Sequence, residues 1–234
     1  MTVSLRTITG EHQGEKSDTM KPVVKIITCP KCGEKQNFTM YPSINASSNP
    51  GLAEKFLDGN LTVLTCESCG FSGAVEYPML YHDLEKKFSV FFAPDTDTRT
   101  AELPNVLPAH LLPELRMRLV HTQDELREKI FMFRDCLDDR IVEMVKDSIL
   151  REMQARNEEK LPETLFYAQD LFQCEGRSLI FVPKRGDEYL EPIKIPFDTY
   201  EKIQKLMHGI WERPVEGYTV VDRVWIQSAV PEKV

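Results

Sequence analysis

Two short runs constrain this chain more than anything else in it: Cys29-Pro30-Lys31-Cys32-Gly33 and Cys66-Glu67-Ser68-Cys69-Gly70. A Cys-x-x-Cys-Gly run closes a tight turn. Its two thiolates point at one centre, and backbone N–H groups of the turn stabilise their charge. Gly33 and Gly70 relieve strain where the chain reverses. Two such turns supply four thiolates, the donor set of a tetrahedral Zn²⁺ with bonds of about 2.3 Å. A shell of four sulfurs leaves no position for water or substrate, so the expected role of one zinc is to stabilise the fold, not to catalyse. Zinc binding of this kind contributes on the order of 10–16 kcal/mol to a small module. An iron–sulfur cluster, a rubredoxin-type iron or a redox dithiol use the same ligands and stay open at this point. A framework of three disulfides among the six cysteines fits the paired spacing less well.

The rest of the composition is that of a soluble globular chain: 234 residues, 41% hydrophobic and 28% charged. No apolar run reaches the roughly 18 residues that cross a bilayer. The first residues, MTVSLRTITGEHQGEKSD, hold no apolar stretch of a secretory signal. A cytoplasmic location is the expectation. The net charge of −8 is spread without a basic block, which disfavours tight non-specific binding to nucleic acid but leaves room for a local basic face.

Residues 1–20 are polar and aperiodic and read as a flexible tail. Residues 21–93 read as a zinc-ribbon module. Val23–Thr28 is a β-branched strand entering Cys29, and Phe71–Tyr77 alternates as another. The 33 residues between Cys32 and Cys66 hold a helical insertion: Asn49 as N-cap, Pro50 at the first helical position, Gly59 as the stop. Leu61–Thr65 then feeds Cys66 as a strand, and Leu80–Phe92 forms a hairpin turning near residues 83–86. Residues 94–112 are rich in Pro, Thr and Asp and read as a linker. Residues 113–160 are a helical segment, although Leu115–Val120 alternates and fits a strand. Thr122 and Glu125 have capping-box spacing ahead of one helix. A second helix carries Ile141, Val142, Val145, Ile149 and Met153 on one face. Residues 161–234 form a small α+β region: strands at Thr164–Ala168 and Ser178–Val182 with a turn at 175–177, a helix from Asp198 to about His208 with capping-box spacing at Asp198 and Glu201, and a final strand at Tyr218–Ile226. The fold class is α+β, an N-terminal zinc ribbon followed by a helical middle and that α+β region.

Both cysteine turns, the Asn45–Leu57 stretch and Pro78-Met79-Leu80-Tyr81-His82-Asp83 together resemble the bacterial CpXC-domain proteins. The likeness runs over roughly residues 24–160 and includes Leu126–Ile130 and Leu137–Arg140. Glu67 stands where the family's name implies proline, which leaves ligation intact and alters turn stiffness. The resemblance implies a zinc ribbon and this fold class, and no activity.

Other residues invite chemistry and have plainer readings beside it. Tyr81-His82-Asp83 suggests a general base, but alternation puts His82 opposite its neighbours, and a surface hairpin with polar tips is the simpler reading. Asp135, Asp138 and Asp139 suggest a divalent-cation site, against helix capping by Asp138 or Asp139 with Arg140 as an ion-pair partner. Cys136 and Cys174 read as partly buried small hydrophobes rather than nucleophiles. His12, His110, His121 and His208 are scattered, and phosphate-binding glycine loops and nucleophile elbows are missing. Among the aromatics of the last third, from Phe166 to Trp225, Trp211 beside Arg213 is a candidate interface residue, with core packing as the alternative. The expected function is a non-enzymatic, zinc-stabilised adaptor for a protein partner, with no catalytic residues. A zinc-ribbon nucleic-acid regulator using Lys31, Lys35 and Lys55 is the second reading. A hydrolase using the acidic helix break is the third.

Overall fold

A computed structural model describes residues 3–4, 21–101, 112–156, 161–168, 177–211 and 215–229. In chain order the strands and helices begin with β1 (Val3–Ser4), β2 (Val23–Thr28), β3 (Lys35–Met40), β4 (Ser43–Asn45) and α1 (Pro50–Leu57). Next come β5 (Val63–Thr65), β6 (Ser72–Glu76), β7 (Met79–Asp83), β8 (Phe88–Phe92), β9 (Thr100–Ala101) and β10 (Arg116–Val120). Helices α2 (Gln123–Arg134) and α3 (Asp139–Ala155) precede β11 (Thr164–Ala168), β12 (Ser178–Arg185), β13 (Glu188–Tyr189) and β14 (Ile193–Pro196). The chain closes with α4 (Phe197–Met207), β15 (Tyr218–Thr219) and α5 (Arg223–Ala229). The chain divides into two compact units, one of residues 1–126 with 217–219, the other of residues 127–216 with 220–234.

The first unit joins the two cysteine ribbons to a mixed sheet. β2 pairs antiparallel with β3 and β5 with β6, while β1 runs parallel along β6. The six-stranded sheet has the order β4-β7-β8-β10-β15-β9. α1 packs Phe56 near Tyr81, which stacks on Phe88 at 6.0 Å between ring centroids. Pro50 opens α1 as its sequence requires, but the Asn49 side chain makes no capping bond there; the backbone C=O of Asn49 accepts the first helical N–H groups instead. The alternation at 115–120 resolves as β10, parallel to β8. The capping box at the start of α2 is complete: Glu125 N–H donates to Thr122 Oγ1 at 3.1 Å, and Thr122 N–H to Glu125 Oε2 at 3.0 Å.

In the second unit β12 pairs antiparallel with β11, β13 and β14, α4 packs against β12 and β14, and α3 packs against α4 and α5. α2 stops in a Schellman turn: Leu137 N–H reaches Met132 C=O at 2.9 Å and Cys136 N–H reaches Phe133 C=O at 3.2 Å, with Cys136 at φ +59°. Cys136 is exposed, not the partly buried hydrophobe its composition suggested, because a left-handed residue at a helix end points outward. Cys174 lies outside the described residues, as does most of the 175–177 turn. α4 opens at Phe197 with Pro196 at the cap position, and Asp198 bonds Lys202 rather than closing a capping box. The expected strand Tyr218–Ile226 is two residues of β15 followed by a helix. The Asp222 carboxylate accepts the Trp225 N–H at 2.9 Å, capping α5 and turning the β-branched run into a helix that buries Ile226.

A buried ion network ties this unit together. Lys129 Nζ donates to Asp139 and Glu143, both at 3.1 Å, and to Val221 C=O at 2.7 Å. Lys146 Nζ donates to Glu128 and Glu143, and Glu128 also accepts the Tyr167 N–H at 2.7 Å. These three carboxylates share two ammonium groups in a dry interior. Burial pushes Glu128 up, with Lys146 opposing and the Glu143 charge adding to the rise. Burial pulls both lysines down, yet the surrounding carboxylates outweigh it and hold them above the ordinary lysine range. Removing one partner from such a network leaves a buried charge uncompensated.

Two outcomes follow. Cys136→Gly relieves the left-handed backbone and raises unfolding stability by about 0.5–1 kcal/mol in urea titrations. Lys129→Met removes the buried ammonium that Asp139 and Glu143 share, leaving Lys146 alone to balance Glu143, and lowers stability by about 3–5 kcal/mol. Because both lysine values are raised in the folded state, their contribution is fully present below the ordinary lysine value of about 10.4 and is lost as pH climbs beyond it. The wild-type urea midpoint should therefore fall on the alkaline side of that value.

Candidate metal centre

The two cysteine turns repeat one backbone design. Cys29 N–H bonds Glu34 C=O and Gly33 N–H bonds Cys29 C=O; Cys66 N–H bonds Phe71 C=O and Gly70 N–H bonds Cys66 C=O, all at 2.7–2.9 Å. Gly33 at φ +78° and Gly70 at φ +68° occupy the left-handed region that lets each turn close. The Gln36 side chain fastens the two ribbons to each other: its amide donates to Thr65 C=O at 2.9 Å, and its carbonyl accepts the Glu67 N–H at 3.3 Å.

All four sulfurs converge. Cys29 Sγ lies 3.7 Å from Cys69 Sγ, Cys32 Sγ lies 3.6 Å from Cys66 Sγ, and the four lie within 4.8 Å of one another. Four sulfurs each about 2.3 Å from a tetrahedral ion stand about 3.8 Å apart, so the cluster needs only a small adjustment to hold one. Cys29 and Cys66 are buried, Cys69 is half-buried and Cys32 is exposed. Burial pushes the Cys29 thiol up, but the backbone N–H groups of Cys32 and Lys31 overcome it and bring the thiol down to about 7. At Cys32 the Glu34 backbone N–H pulls down, while the Cys69 thiol, burial and the Cys66 and Cys29 thiols push it up to about 12. Cys29 and Cys32 therefore give up their protons unequally, and a shared cation would favour the thiolate form. The donor set and its spacing fit a thiophilic ion, and no other cluster of three or more candidate metal ligands occurs among the described residues.

The CpXC protein family's profile matches residues 27–146, 120 of the 234 residues. The chain belongs to the CpXC family. The match takes in both cysteine turns, the six-stranded sheet as far as β10, all of α2 and the first half of α3. No curated protein and no solved structure matches the chain.

The remaining candidate residues are distributed by the fold. His82 is 0% exposed on β7, so it is no polar tip of a surface hairpin. Its strand is second in a six-stranded sheet, and sheet neighbours bury it. It lies in a row the sequence did not suggest: Asn45 pairs with His82 in register, His82 pairs with Ser89, and the Ser89 and Tyr218 hydroxyls are 2.9 Å apart. All four are buried, and burial pushes Tyr218 up. The three acids of the helix break serve separate partners. Asp135 accepts from the Tyr167 hydroxyl at 2.7 Å, Asp138 caps α3 and pairs with Arg140, and Asp139 holds Lys129. They do not converge as the divalent-cation reading requires. His121 binds the carbonyls of Ala93 and Thr98, and His208 is exposed. His12, His110 and Phe172 lie outside the described residues. Lys31, Lys35 and Lys55 are exposed on three different elements, the first turn, β3 and α1.

Cys66→Ser should lose bound metal and unfold the ribbon together, measured as metal content per chain and loss of amide dispersion over residues 23–76. Retention of one full equivalent would show that Cys66 is not a ligand.

Proposed function

We propose that the protein holds one structural zinc through Cys29, Cys32, Cys66 and Cys69 and acts as a non-enzymatic, cytoplasmic interaction protein. The observation that carries the metal's part is the four-thiol shell, which keeps no position open for a water nucleophile or substrate. A closed shell leaves the protein surface, rather than the ion, to engage a partner. Trp211 supports a protein partner. Its ring lies 5.7 Å from that of Trp225, and the Arg140 guanidinium sits 5.4 Å above it while donating to the Trp211 C=O. Flanking residues keep large apolar side chains in water, Ile210 at 39% and Val224 at 58% exposure. Half-buried tryptophans held by an arginine and flanked by exposed aliphatics have the chemistry of an interface centre.

Val224 is the position to alter, because it can change without disturbing the packing beneath. Tagged wild-type protein from native host extract should retain a partner that Val224→Glu retains at least tenfold more weakly, with metal content and melting temperature unchanged. Turnover of a nucleotide, peptide or nucleic acid by the purified wild-type protein contradicts the non-enzymatic reading.

A further inference from the structure

The most exposed large apolar side chains of the described chain lie on the first cysteine ribbon. Val24 is 60% and Ile26 is 68% exposed, and both stand on the same face of β2. In register with them across β3 are Thr39 and Asn37, and Thr28 pairs with Lys35. That face therefore carries two aliphatics, three neutral polar residues and one lysine, with no carboxylate. Lys25, on the opposite face of β2, is also exposed. Over residues 21–40 the chain holds four lysines and one glutamate, +4 and −1, in a protein of net charge −8. Among the described residues β2 pairs only with β3, so its other edge presents alternate N–H and C=O groups along about 20 Å of strand. A six-residue edge strand with exposed aliphatics and a single central lysine is poorly defended against pairing.

We propose that the free edge of β2 receives an extended segment of a partner protein in which apolar and acidic residues alternate, adding a third strand to the ribbon. Backbone hydrogen bonds to β2 supply the pairing. Apolar side chains of the segment cover Val24 and Ile26, and its carboxylates, alternating onto the other face, meet Lys25. A second copy of this chain is the poorer occupant. Edge-to-edge pairing of two β2 strands brings two +3 ribbons together, and a register centred on residue 25 sets lysine against lysine. Pairing with β3 across the first cysteine turn keeps β2 extended before anything binds, which lowers the ordering cost of adding a strand. This inference rests on reading the protein as an interaction module and names one of its docking edges and the partner's chemistry.

The test uses the full-length, zinc-loaded protein labelled with ¹⁵N and three probes: an eight-residue peptide alternating Val and Glu, its Val–Lys counterpart, and oligo(dT) of eight nucleotides. The Val–Glu peptide should shift the amides of residues 23–28 and slow hydrogen exchange at alternate positions of β2, the period-two signature of strand addition. Ile26→Asp should weaken that binding at least tenfold, and Lys25→Glu should weaken it and admit the Val–Lys peptide. Equal binding of both peptides to wild type, shifts confined to other elements, or a stronger response to oligo(dT) on the same amides overturns the inference. So does a concentration-dependent dimer whose contacts map to β2. If Ile26→Asp protein still captures the host partner at wild-type strength, the β2 edge is not its docking site, while the interaction reading itself stands. If no partner is captured by wild-type protein, it is that reading which fails.

Discussion

Everything in the first unit depends on four sulfurs meeting at one point. Cys29 and Cys66 are 37 positions apart in the chain, yet each turn delivers its thiols within a few ångströms of the other's. Both ribbons are small: β5 is three residues long, and β2–β3 is a two-stranded ribbon. Isolated two-stranded pairs are marginal in water. A dication held by the four cysteines would convert mutual repulsion among thiolates into a cross-link, and the Gln36 side chain adds hydrogen bonds between the ribbons that share it. The insertion that separates the turns is thereby free to fold as α1 and to contribute Phe56 to the aromatic packing on β7 and β8.

The second unit solves the same problem with charges on the protein itself. Lys129 and Lys146 bridge α2, α3 and the segment at Val221, replacing part of an apolar core with salt bridges. Such a network is weak evidence for high stability, because desolvation offsets most of its attraction. What it supplies is register: Lys129 reaches its three partners only when α2, α3 and the 221 segment are correctly placed. The domain therefore specifies helix position through hydrogen-bonding geometry where a purely apolar core would tolerate sliding.

How much of this was readable in advance follows from range. The pairing of the four cysteines, both glycine turns, α1 and the strands beside the cysteines were legible because each depends on neighbours within a few residues. The capping box at Thr122 and Glu125 was legible for the same reason. Tyr218–Ile226 misled because its β-branched run matches a strand, while the Asp222 cap that makes it a helix acts over three residues and outweighs propensity. His82 misled for a different reason. A hairpin read alone has two faces and a tip, and only the neighbours β4 and β10 determine that this one is interior. The ion network left a faint signal, Asp139, Glu143 and Lys146 at helical spacing among apolar residues, which is equally the pattern of a solvated helix stripe. Burial decides between the two, and burial belongs to the tertiary structure.

Placing the functional surface away from the ion follows from the coordination shell, so the shell is what must be measured. X-ray absorption at the zinc edge, with metal content from the same purified sample, does this directly. One zinc per chain with four sulfur scatterers at about 2.3 Å and no oxygen or nitrogen shell is the expected result. An oxygen or nitrogen ligand in that shell, or iron in place of zinc, would contradict the account and return the search for function to the metal.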